Sequence, residues 1–367
     1  MSRASQADEN PEYWQEYSNL QKVKHELIRE YLNGWFPKLG LGYCAGRILY
    51  IDTHAGRGRH ATGDLGSPLV ALGTFLQHSY RGQILRKSEV RFFFLERDES
   101  NTQALQSELD AFTLPRGVSA TIIRGNYEAV LSGVVTELRR AKARLAPCFV
   151  FVDPYTFRIR YSLVRDLMSF RGVELFVNIR WRELNMDMCN PGMAGLLDET
   201  FDIFDWRQVM VTGDSDSRLA RLLELIRGSV GVEWMTHVQM LAGNRTATHV
   251  LAHLTNHEAG RDLMKTIMWK VCPSCDGEFV ARKSDDPEQG VLLALEPDLR
   301  PVVEIVRQRL SRGPLTWTAL REAIRDTSWL EKHLNEVVRE LRRQGKISWV
   351  GASFSATANP LLRLRVQ

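Results

Sequence analysis

The sequence lacks the features that mark membrane, secreted and repetitive proteins. It has no run of about 18 apolar residues, which is the length that a membrane-spanning helix needs. Residues 1–10 are polar and have no apolar core, so we expect no secretory signal there. The five cysteines are odd in number and scattered, and they do not predict a disulfide framework. The cysteine usage favours a cytoplasmic protein, and 44% hydrophobic residues are ordinary for a soluble globular one. A length of 367 residues suggests two domains, or one large domain with an appendage.

An excess of charge of one sign is also missing from most of the chain. Lys and Arg number 48 against 44 Asp and Glu, which gives a net charge of +4. The basic excess lies near the C-terminus, because residues 291–367 hold 13 basic and 8 acidic side chains. Two interpretations stay open: a surface for a polyanion such as nucleic acid, and a basic face that is only solvated.

Residues 1–290 predict a doubly wound, Rossmann-like α/β domain. Apolar segments alternate with amphipathic helical segments, which is typical of a parallel sheet covered on both faces. The predicted strands are residues 47–50, 90–98, 119–125, 148–155 and 173–179, and the predicted helices are 18–36, 67–78, 101–111, 127–144, 161–170, 217–228 and 258–270. Residues 236–242 and 247–254 predict a final antiparallel pair joined by a hairpin at 243–245, and residues 272–298 suit a linker.

A glycine loop follows the first predicted strand, and the domain is organised around it. Asp52 ends the strand, and Gly56 and Gly58 allow a tight turn with close approach of a ligand to the backbone. The Gly-Lys-Ser/Thr of a phosphate-binding loop is missing, and so is the third glycine of the dinucleotide pattern. The spacing Asp-x-x-x-Gly-x-Gly is that of motif I in S-adenosylmethionine-dependent methyltransferases, whose sheets also end in an antiparallel pair. A loop that merely contains two glycines is the plainer alternative.

Two further strand ends extend this predicted cofactor site. Glu96 lies at the end of the second strand, where a carboxylate can accept hydrogen bonds from both ribose hydroxyls. Asn126 follows Gly125 at the end of the third strand, where a small residue and an amide suit the rim of an adenine. Solvated strand-end polar groups are the alternative at both positions.

Asp153-Pro154-Tyr155 at the end of the fourth strand predicts a catalytic site. Methyltransferases that act on exocyclic amines of bases carry an Asp/Asn-Pro-Pro-aromatic motif there. The acid accepts hydrogen bonds from the amine, and the aromatic ring stacks on the flipped base. This sequence has one proline where that motif has two. The alternative is that Asp153 only lines a pocket.

Residues 291–367 predict a winged-helix domain. Helices are predicted over residues 299–310, 318–325 and 329–344, and two short strands follow. The third helix of such a domain enters the DNA major groove, and here it carries His333 and four cations: Lys332, Arg339, Arg342 and Arg343. Many winged helices bind proteins instead, so nucleic acid and protein both remain open as partners.

The pair Cys272 and Cys275 has the spacing of half a zinc site. A structural zinc site needs four ligands, and the sequence has no second Cys-x-x-Cys pair. The fold would have to bring in Cys189, His253 or His257, so we predict no metal.

The chain resembles the bacterial three-Cys-motif partner proteins. The resemblance covers residues 19–270 and is carried by five motifs: Lys24-x-x-Leu27-x-x-x-Tyr31-Leu32-x-x-Trp35, Tyr50-Ile-Asp-Thr-His-Ala-Gly-Arg-Gly58, Gly66-Ser-Pro-Leu69, Phe151-Val-Asp-Pro-Tyr155 and Met264-x-x-x-Met268-Trp269-Lys270. It implies a Rossmann methyltransferase-like protein that works with an iron–sulfur, radical-SAM-like protein carrying three cysteines.

Lys24-His25 together with Asp153-Pro154-Tyr155 is also similar to a family of ribosomal RNA adenine-N6 methyltransferases. In that family a Lys-His pair on an N-terminal helix approaches the cofactor. The two resemblances and the strand-end residues together imply an S-adenosylmethionine site made of Lys24, His25, Asp52, His54, Gly56, Gly58, Glu96 and Asn126.

Three functional hypotheses follow from the sequence. The first is a methyltransferase that acts on an amine of a DNA or RNA base. The second is a non-catalytic adaptor that recruits the iron–sulfur partner to nucleic acid for repair or modification, which the single Pro154 and the unusual Thr53-His54 pair favour. The third is a winged-helix regulator with a small-molecule sensor domain.

Overall fold

The chain divides into two compact units. In a computed structural model, the described residues are 14–15, 17–43, 46–211, 213–242, 246–272, 278–282, 296–350 and 357–365. The N-terminal unit comprises Met1–Ile267 and Ala281–Gln289, and the C-terminal unit comprises Met268–Val280 and Gly290–Gln367. The second unit therefore takes up a short piece of chain before residue 281 as well as the predicted winged-helix region.

A mainly parallel sheet of eight strands forms the centre of the N-terminal unit. Its strands are β1 (Arg47–Asp52), β2 (Glu89–Glu96), β3 (Val118–Arg124), β4 (Cys148–Val152), β5 (Val173–Ile179), β6 (Trp234–Leu241), β7 (Ala247–Thr255) and β8 (Val280–Arg282). The order is β3-β2-β1-β4-β5-β7-β6-β8. β1 to β5 pair in parallel, and β7 runs antiparallel to β5 and β6. The predicted α/β sheet with its final antiparallel pair is confirmed, whereas β8 lies in a segment predicted to be a linker.

Helices cover the sheet and fill its crossover connections. Those of the N-terminal unit are α1 (Asn19–Pro37), α2 (Ser67–Leu76), α3 (Arg81–Leu85), α4 (Glu99–Asp110), α5 (Tyr127–Arg140), α6 (Tyr161–Met168), α7 (Trp181–Met188), α8 (Ala194–Thr200), α9 (Ser215–Val230) and the first part of α10 (Glu258–Val271). A π-helical turn, Lys38–Tyr43, extends α1, and 3₁₀ turns occur at Pro191–Met193 and Trp206–Val209. The stretch from 181 to 209 is thus a set of short helices.

The helix α1 packs its apolar face on the sheet, and some of its polar side chains contact β5. A capping box between Ser18 and Gln21 starts the helix. Tyr31 and Trp35 both donate hydrogen bonds to the buried carboxylate of Glu174 in β5. His253 of β7 lies 3.0 Å from the same carboxylate, so the buried charge is hydrogen-bonded from three sides. These contacts fix where α1 lies along β5.

The C-terminal unit contains three helices and a small antiparallel sheet. The helices are α11 (Arg300–Ser311), α12 (Trp317–Ala323) and α13 (Glu331–Arg343), and the strands are β9 (Leu315–Thr316), β10 (Ile347–Trp349) and β11 (Leu361–Leu364) in the order β10-β11-β9. Val302, Val306, Leu334 and Val338 are buried between the helices. The ring of Trp269, near the end of α10, packs against the rings of Trp329 and His333 within this unit. The order of elements is compatible with the winged helix predicted from the sequence, and that assignment stays a prediction.

Candidate cofactor and substrate site

Two adjoining cavities open at the carboxyl edge of the parallel strands. The larger has a volume of about 300 Å³ and the smaller about 210 Å³. His54, Pro154 and Tyr155 line both, so these three residues form the junction. The larger cavity is also lined by Lys24, His25, Asp153, Asn178, Arg180 and His249, and the smaller by Glu96, Asp98, Asn126, Tyr127 and Arg158. The strand topology therefore brings most of the predicted site residues to one edge, as expected for an open α/β sheet.

Glu96 faces the smaller cavity from the end of β2 and is held by backbone groups. One carboxylate oxygen accepts from the N–H of Gly56 at 2.7 Å, and the other from Arg97 and Asp98 at 2.8 and 2.9 Å. A carboxylate has about four acceptor positions, so these three bonds leave room for one more donor. Burial raises the pKa of Glu96, while the three N–H groups act against that rise. The acid is thus fixed in place beside the smaller cavity.

The glycine loop packs against the chain's own side chains. Gly56 has φ +62°, and the space where its side chain would lie is occupied by the indole of Trp14. Gly58 has φ +86°, and a side chain there would come within 2.9 Å of Leu105. Both positions therefore require glycine for backbone conformation and packing. Neither glycine is among the lining residues of the two cavities.

Asp52 contacts the backbone of the glycine loop. It is fully buried at the end of β1, and its Oδ1 accepts from the backbone N–H of His54 at 3.2 Å. Its Oδ2 has no hydrogen-bond partner among the described residues. Burial raises the pKa of Asp52 to about 7, although the side chain of Ser67 and the N–H of His54 act against that rise. Like the two glycines, Asp52 does not line either cavity. These three predicted cofactor residues therefore contact other residues of the protein instead.

Asp153 is the centre of a polar cluster in the larger cavity. Its Oδ2 is ion-paired with Lys24 of α1, and its Oδ1 accepts from Asn178 Nδ2 at 2.6 Å. Burial alone would raise the pKa of Asp153, but the charge of Lys24 and the two hydrogen bonds outweigh it and lower the pKa to about 2. Asp153 is therefore an ionised group that can only accept hydrogen bonds at neutral pH.

Two predicted histidines line the larger cavity in a neutral form. Burial lowers the pKa of His54 to about 4, and burial together with the charge of Lys24 lowers the pKa of His25 well below its ordinary value. The hydroxyl oxygen of Thr53 lies 2.8 Å from His54 Nδ1 and 3.1 Å from the carbonyl oxygen of Phe151, so it holds the ring of His54 at the junction of the cavities. His25 Nδ1 contacts the hydroxyl of Tyr17 at 2.8 Å.

Asn126 and Tyr127 form one rim of the smaller cavity. Asn126 is the N-cap of α5, and its side chain accepts from the N–H of Ala129. The ring of Tyr127 lies 4.7 Å from that of His54. After the neighbouring parallel strand β2, Asp98 caps α4 by accepting from the N–H of Asn101. Capping fixes these side chains at the cavity edge.

The four predicted nucleic-acid cations of α13 lie in two different environments. The guanidinium of Arg342 lies 3.7 Å from the ring centre of Trp349, so this residue packs against the small sheet. Lys332, Arg339 and Arg343 line a cleft of about 800 Å³ that also contains Arg307 and Lys346 together with the acids Glu336 and Glu340. Arg343 is ion-paired with Glu340 at 2.8 Å. The cleft therefore contains three of the four predicted side chains, and Glu336 and Glu340 partly offset its positive charge.

Sequence reasoning missed several residues of the site. Asn178 is one of two polar residues in the buried strand β5, and Trp14 precedes the first regular helix, so no motif singles them out. Asp98 and His249 were missed for the same reason. Alternation in β5 offers one signal, because Glu174 and Asn178 share a face with Phe176 and interrupt an otherwise apolar strand.

Comparisons with known proteins found matches among solved structures. No family model matches the chain, and no curated protein matches it. Among solved structures, protein LPL1258 of Legionella pneumophila, described with family DUF519, is 12% identical, covers 68% of this chain and 93% of its own, and has a TM-score of 0.38. The cyclopropane synthase MmaA2 of Mycobacterium tuberculosis is 12% identical, covers 69% and 70%, and has a TM-score of 0.30. A loganic acid methyltransferase with SAH is 10% identical, covers 65% and 78%, and has a TM-score of 0.30.

The sheet order itself places the N-terminal unit in a fold class. The order β3-β2-β1-β4-β5-β7-β6 with an antiparallel β7 is that of Rossmann-like methyltransferases. None of the helices in the described part of the chain is long and apolar enough to span a membrane.

Proposed function

We propose that the N-terminal unit is an S-adenosylmethionine-dependent methyltransferase that acts on an exocyclic amine of a nucleic-acid base. The observation that carries the proposal is the pair of cavities that meet at His54, Pro154 and Tyr155. One cavity has an anchored carboxylate that fits a ribose, and the other has an ionised carboxylate that fits an amine. A methyl donor in the first and an acceptor in the second would meet at the junction.

The smaller cavity fits the adenosine part of the cofactor. Glu96 would accept a hydrogen bond from a ribose hydroxyl at its remaining acceptor position, since its other positions are filled by Gly56, Arg97 and Asp98. Asn126 and Tyr127 would border the adenine. The methionine part would extend past His54 at the junction of the two cavities. When bound, S-adenosylmethionine supplies a methyl group activated by a positively charged sulfur.

The residues of the larger cavity would hold and orient the acceptor. Asp153 stays ionised and can accept a hydrogen bond from an amine hydrogen, which turns the nitrogen lone pair towards the junction. Tyr155 follows the rigid Pro154 and offers an aromatic face on which a base can stack. Methyl transfer requires alignment above all, so positioning by these groups would supply much of the rate.

Methyl transfer to nucleic acid tests this proposal directly. The protein is incubated with S-adenosylmethionine labelled in its methyl group and with total RNA or genomic DNA, and label in the polymer is counted. We expect transfer by the wild type and a loss of about 100-fold or more in Asp153→Ala, because the acceptor group for the amine is gone. Asp166→Ala is the matched control, since Asp166 is paired with Arg139 on the surface. Cofactor binding without transfer to either polymer would contradict the proposal.

One observation favours a second candidate, the non-catalytic adaptor. Trp14 occupies the space over Gly56 where the tail of a cofactor is expected to pass in this fold. In this candidate, the N-terminal unit brings an iron–sulfur, radical-SAM-like protein with three cysteines to DNA or RNA, as the sequence resemblance implies, and the site of action is the cytoplasm. Binding of nucleic acid with no affinity for S-adenosylmethionine would favour it over the enzyme.

The C-terminal unit would supply nucleic-acid binding in either candidate. Its cleft carries Lys332, Arg339 and Arg343, and these cations suit contacts to phosphates. We further propose that this unit, corresponding to residues 291–367 of the sequence analysis, is a winged helix. The order of its helices and strands supports that assignment.

A further inference from the structure

Asn178 lines the larger cavity and has a buried acceptor atom that no described residue uses. The residue lies near the end of β5, is 6% exposed and lines that cavity. Its Nδ2 donates to Asp153 Oδ1 at 2.6 Å. Because the ionised Asp153 can only accept, the amide cannot be turned round, and the carbonyl Oδ1 must be the remaining atom. That oxygen has no hydrogen-bond partner among the described residues.

We infer that Asn178 Oδ1 and the Asp153 carboxylate form a pair of acceptors that takes both hydrogens of a primary amine, so that Asn178 limits the reaction to one methyl group. This inference rests on the proposed function and names the class of acceptor at the same site. The primary amine satisfies the buried carbonyl of Asn178, which otherwise carries a desolvation cost. Lys24 holds the other side of Asp153, so the carboxylate cannot turn to serve both hydrogens alone.

The chemistry of the step explains why the count of hydrogens matters. The amine nitrogen forms a bond to the methyl carbon while the bond from that carbon to sulfur breaks, and the electron pair stays on sulfur, which becomes a neutral thioether. The cationic nitrogen then loses one proton to water. The product has one N–H where the substrate had two. A second round would place a methyl group against Asn178 Oδ1 and leave that oxygen buried without a donor, and sites of this kind discriminate strongly.

The test uses oligonucleotides of one sequence whose central base differs only in its amine. The set carries adenine, N6-methyladenine or N6,N6-dimethyladenine, and a second set carries cytosine and its N4-methyl forms. Methyl transfer is followed by mass spectrometry. We expect the wild type to add one methyl group and to prefer the unmethylated base by about 100-fold or more. In Asn178→Ala this preference should fall at least about tenfold, and a dimethylated product should appear.

A conservative variant separates the proposed role from a general loss of structure. In Asn178→Asp, the new carboxyl lies beside ionised Asp153 and should keep its proton, which it donates to Asp153, so its second oxygen remains an acceptor. The preference for the primary amine should therefore survive in this variant. Unchanged binding of S-adenosylmethionine shows that each variant is folded. An Asn178→Ala protein that still adds one methyl group with the wild-type preference would overturn the inference.

A binding measurement keeps this inference distinct from the proposed function. The protein is loaded with S-adenosylhomocysteine, and equilibrium affinity is measured for each oligonucleotide. Tighter binding of the primary amine by the wild type, lost in Asn178→Ala, supports the role of Asn178 without any turnover. Equal affinities for the primary and secondary amines would overturn it even if methyl transfer occurs. If no oligonucleotide of either set is bound or methylated, the proposed function fails, and this inference fails with it.

Discussion

Replacing Asp52 by asparagine should change how the free energy of unfolding depends on pH. The carboxyl is fully buried, accepts a 3.2 Å hydrogen bond from the N–H of His54, and has its pKa raised by burial from 3.8 to about 7. Between these two values the folded protein keeps the proton that the unfolded chain releases. The stability that this proton contributes is therefore complete below about pH 4 and is lost as the pH rises through about 7.

The magnitude follows from the size of the pKa rise. One pKa unit corresponds to about 1.4 kcal/mol, so a rise of about three units gives an upper bound of about 4 kcal/mol over the whole range. Asparagine has nearly the same shape and does not ionise. We therefore expect the stability of Asp52→Asn to increase relative to the wild type by up to about 3 kcal/mol between about pH 5 and about pH 7.

Urea unfolding of the two proteins across this pH range measures the difference. The transition of the N-terminal unit is followed by a local probe, because a chain of two units need not unfold in one step. Asp110→Asn serves as the control, since Asp110 is exposed on α4 and this change should leave the pH dependence unaltered. A stability difference between wild type and Asp52→Asn that is constant across the range would refute the reasoning.

Three further perturbations probe other parts of the structure. Glu174→Gln should lower the free energy of unfolding by about 2–4 kcal/mol, because the new amide N–H₂ would face the hydrogen-bond donors Tyr31 and Trp35. Thermal unfolding measures this loss, and an unchanged midpoint temperature would contradict it. Gly58→Ala should cost about 1–3 kcal/mol because of its positive φ and the contact with Leu105, and a neutral effect would show that the loop can relax. Replacing Lys332, Arg339 and Arg343 together by alanine should weaken duplex binding. The dependence of the affinity on salt concentration should become shallower, by an amount that corresponds to up to about three phosphate contacts. An unaltered salt slope would show that the cleft is not part of the proposed interface.

The sheet could be predicted because its strands are buried on both faces. β4 and β5 contain no exposed residue, so they appear in the sequence as apolar runs with helical segments between them. β8 could not be found in this way, since it has three residues and lies in a segment rich in Pro, Ser and Asp. Short strands at a sheet edge are defined by their neighbour more than by their own pattern.

The candidate site was predictable only where a residue ends a strand or belongs to a motif. Glu96 ends a strand, Asp153 both follows a strand and belongs to a motif, and the topology brings the two to the same edge. Local patterns do not show what fills the space above a loop, so the packing of Trp14 on Gly56 could not be foreseen. The same limit applies to Asn178, whose meaning depends on a contact with Asp153, 25 residues away in sequence.

The glycines of the loop also show how one residue type can serve two purposes. Gly56 and Gly58 suggested a bare surface for a ligand, and both have the positive φ that such a loop needs. Their missing side chains nevertheless make room for Trp14 and Leu105. The backbone conformation explains why glycine is needed at both positions. Contact between this loop and a cofactor remains a proposal, and it depends on Glu96.

Calorimetric titration with S-adenosylmethionine tests the central claim most directly. We expect the wild type to bind the cofactor, Glu96→Ala to bind it about 10-fold to 100-fold more weakly, and the control Glu99→Ala to match the wild type, because Glu99 is exposed and paired with Arg124. Absence of binding by the wild type, or equal affinity in Glu96→Ala, would contradict the claim that the smaller cavity holds the ribose of this cofactor.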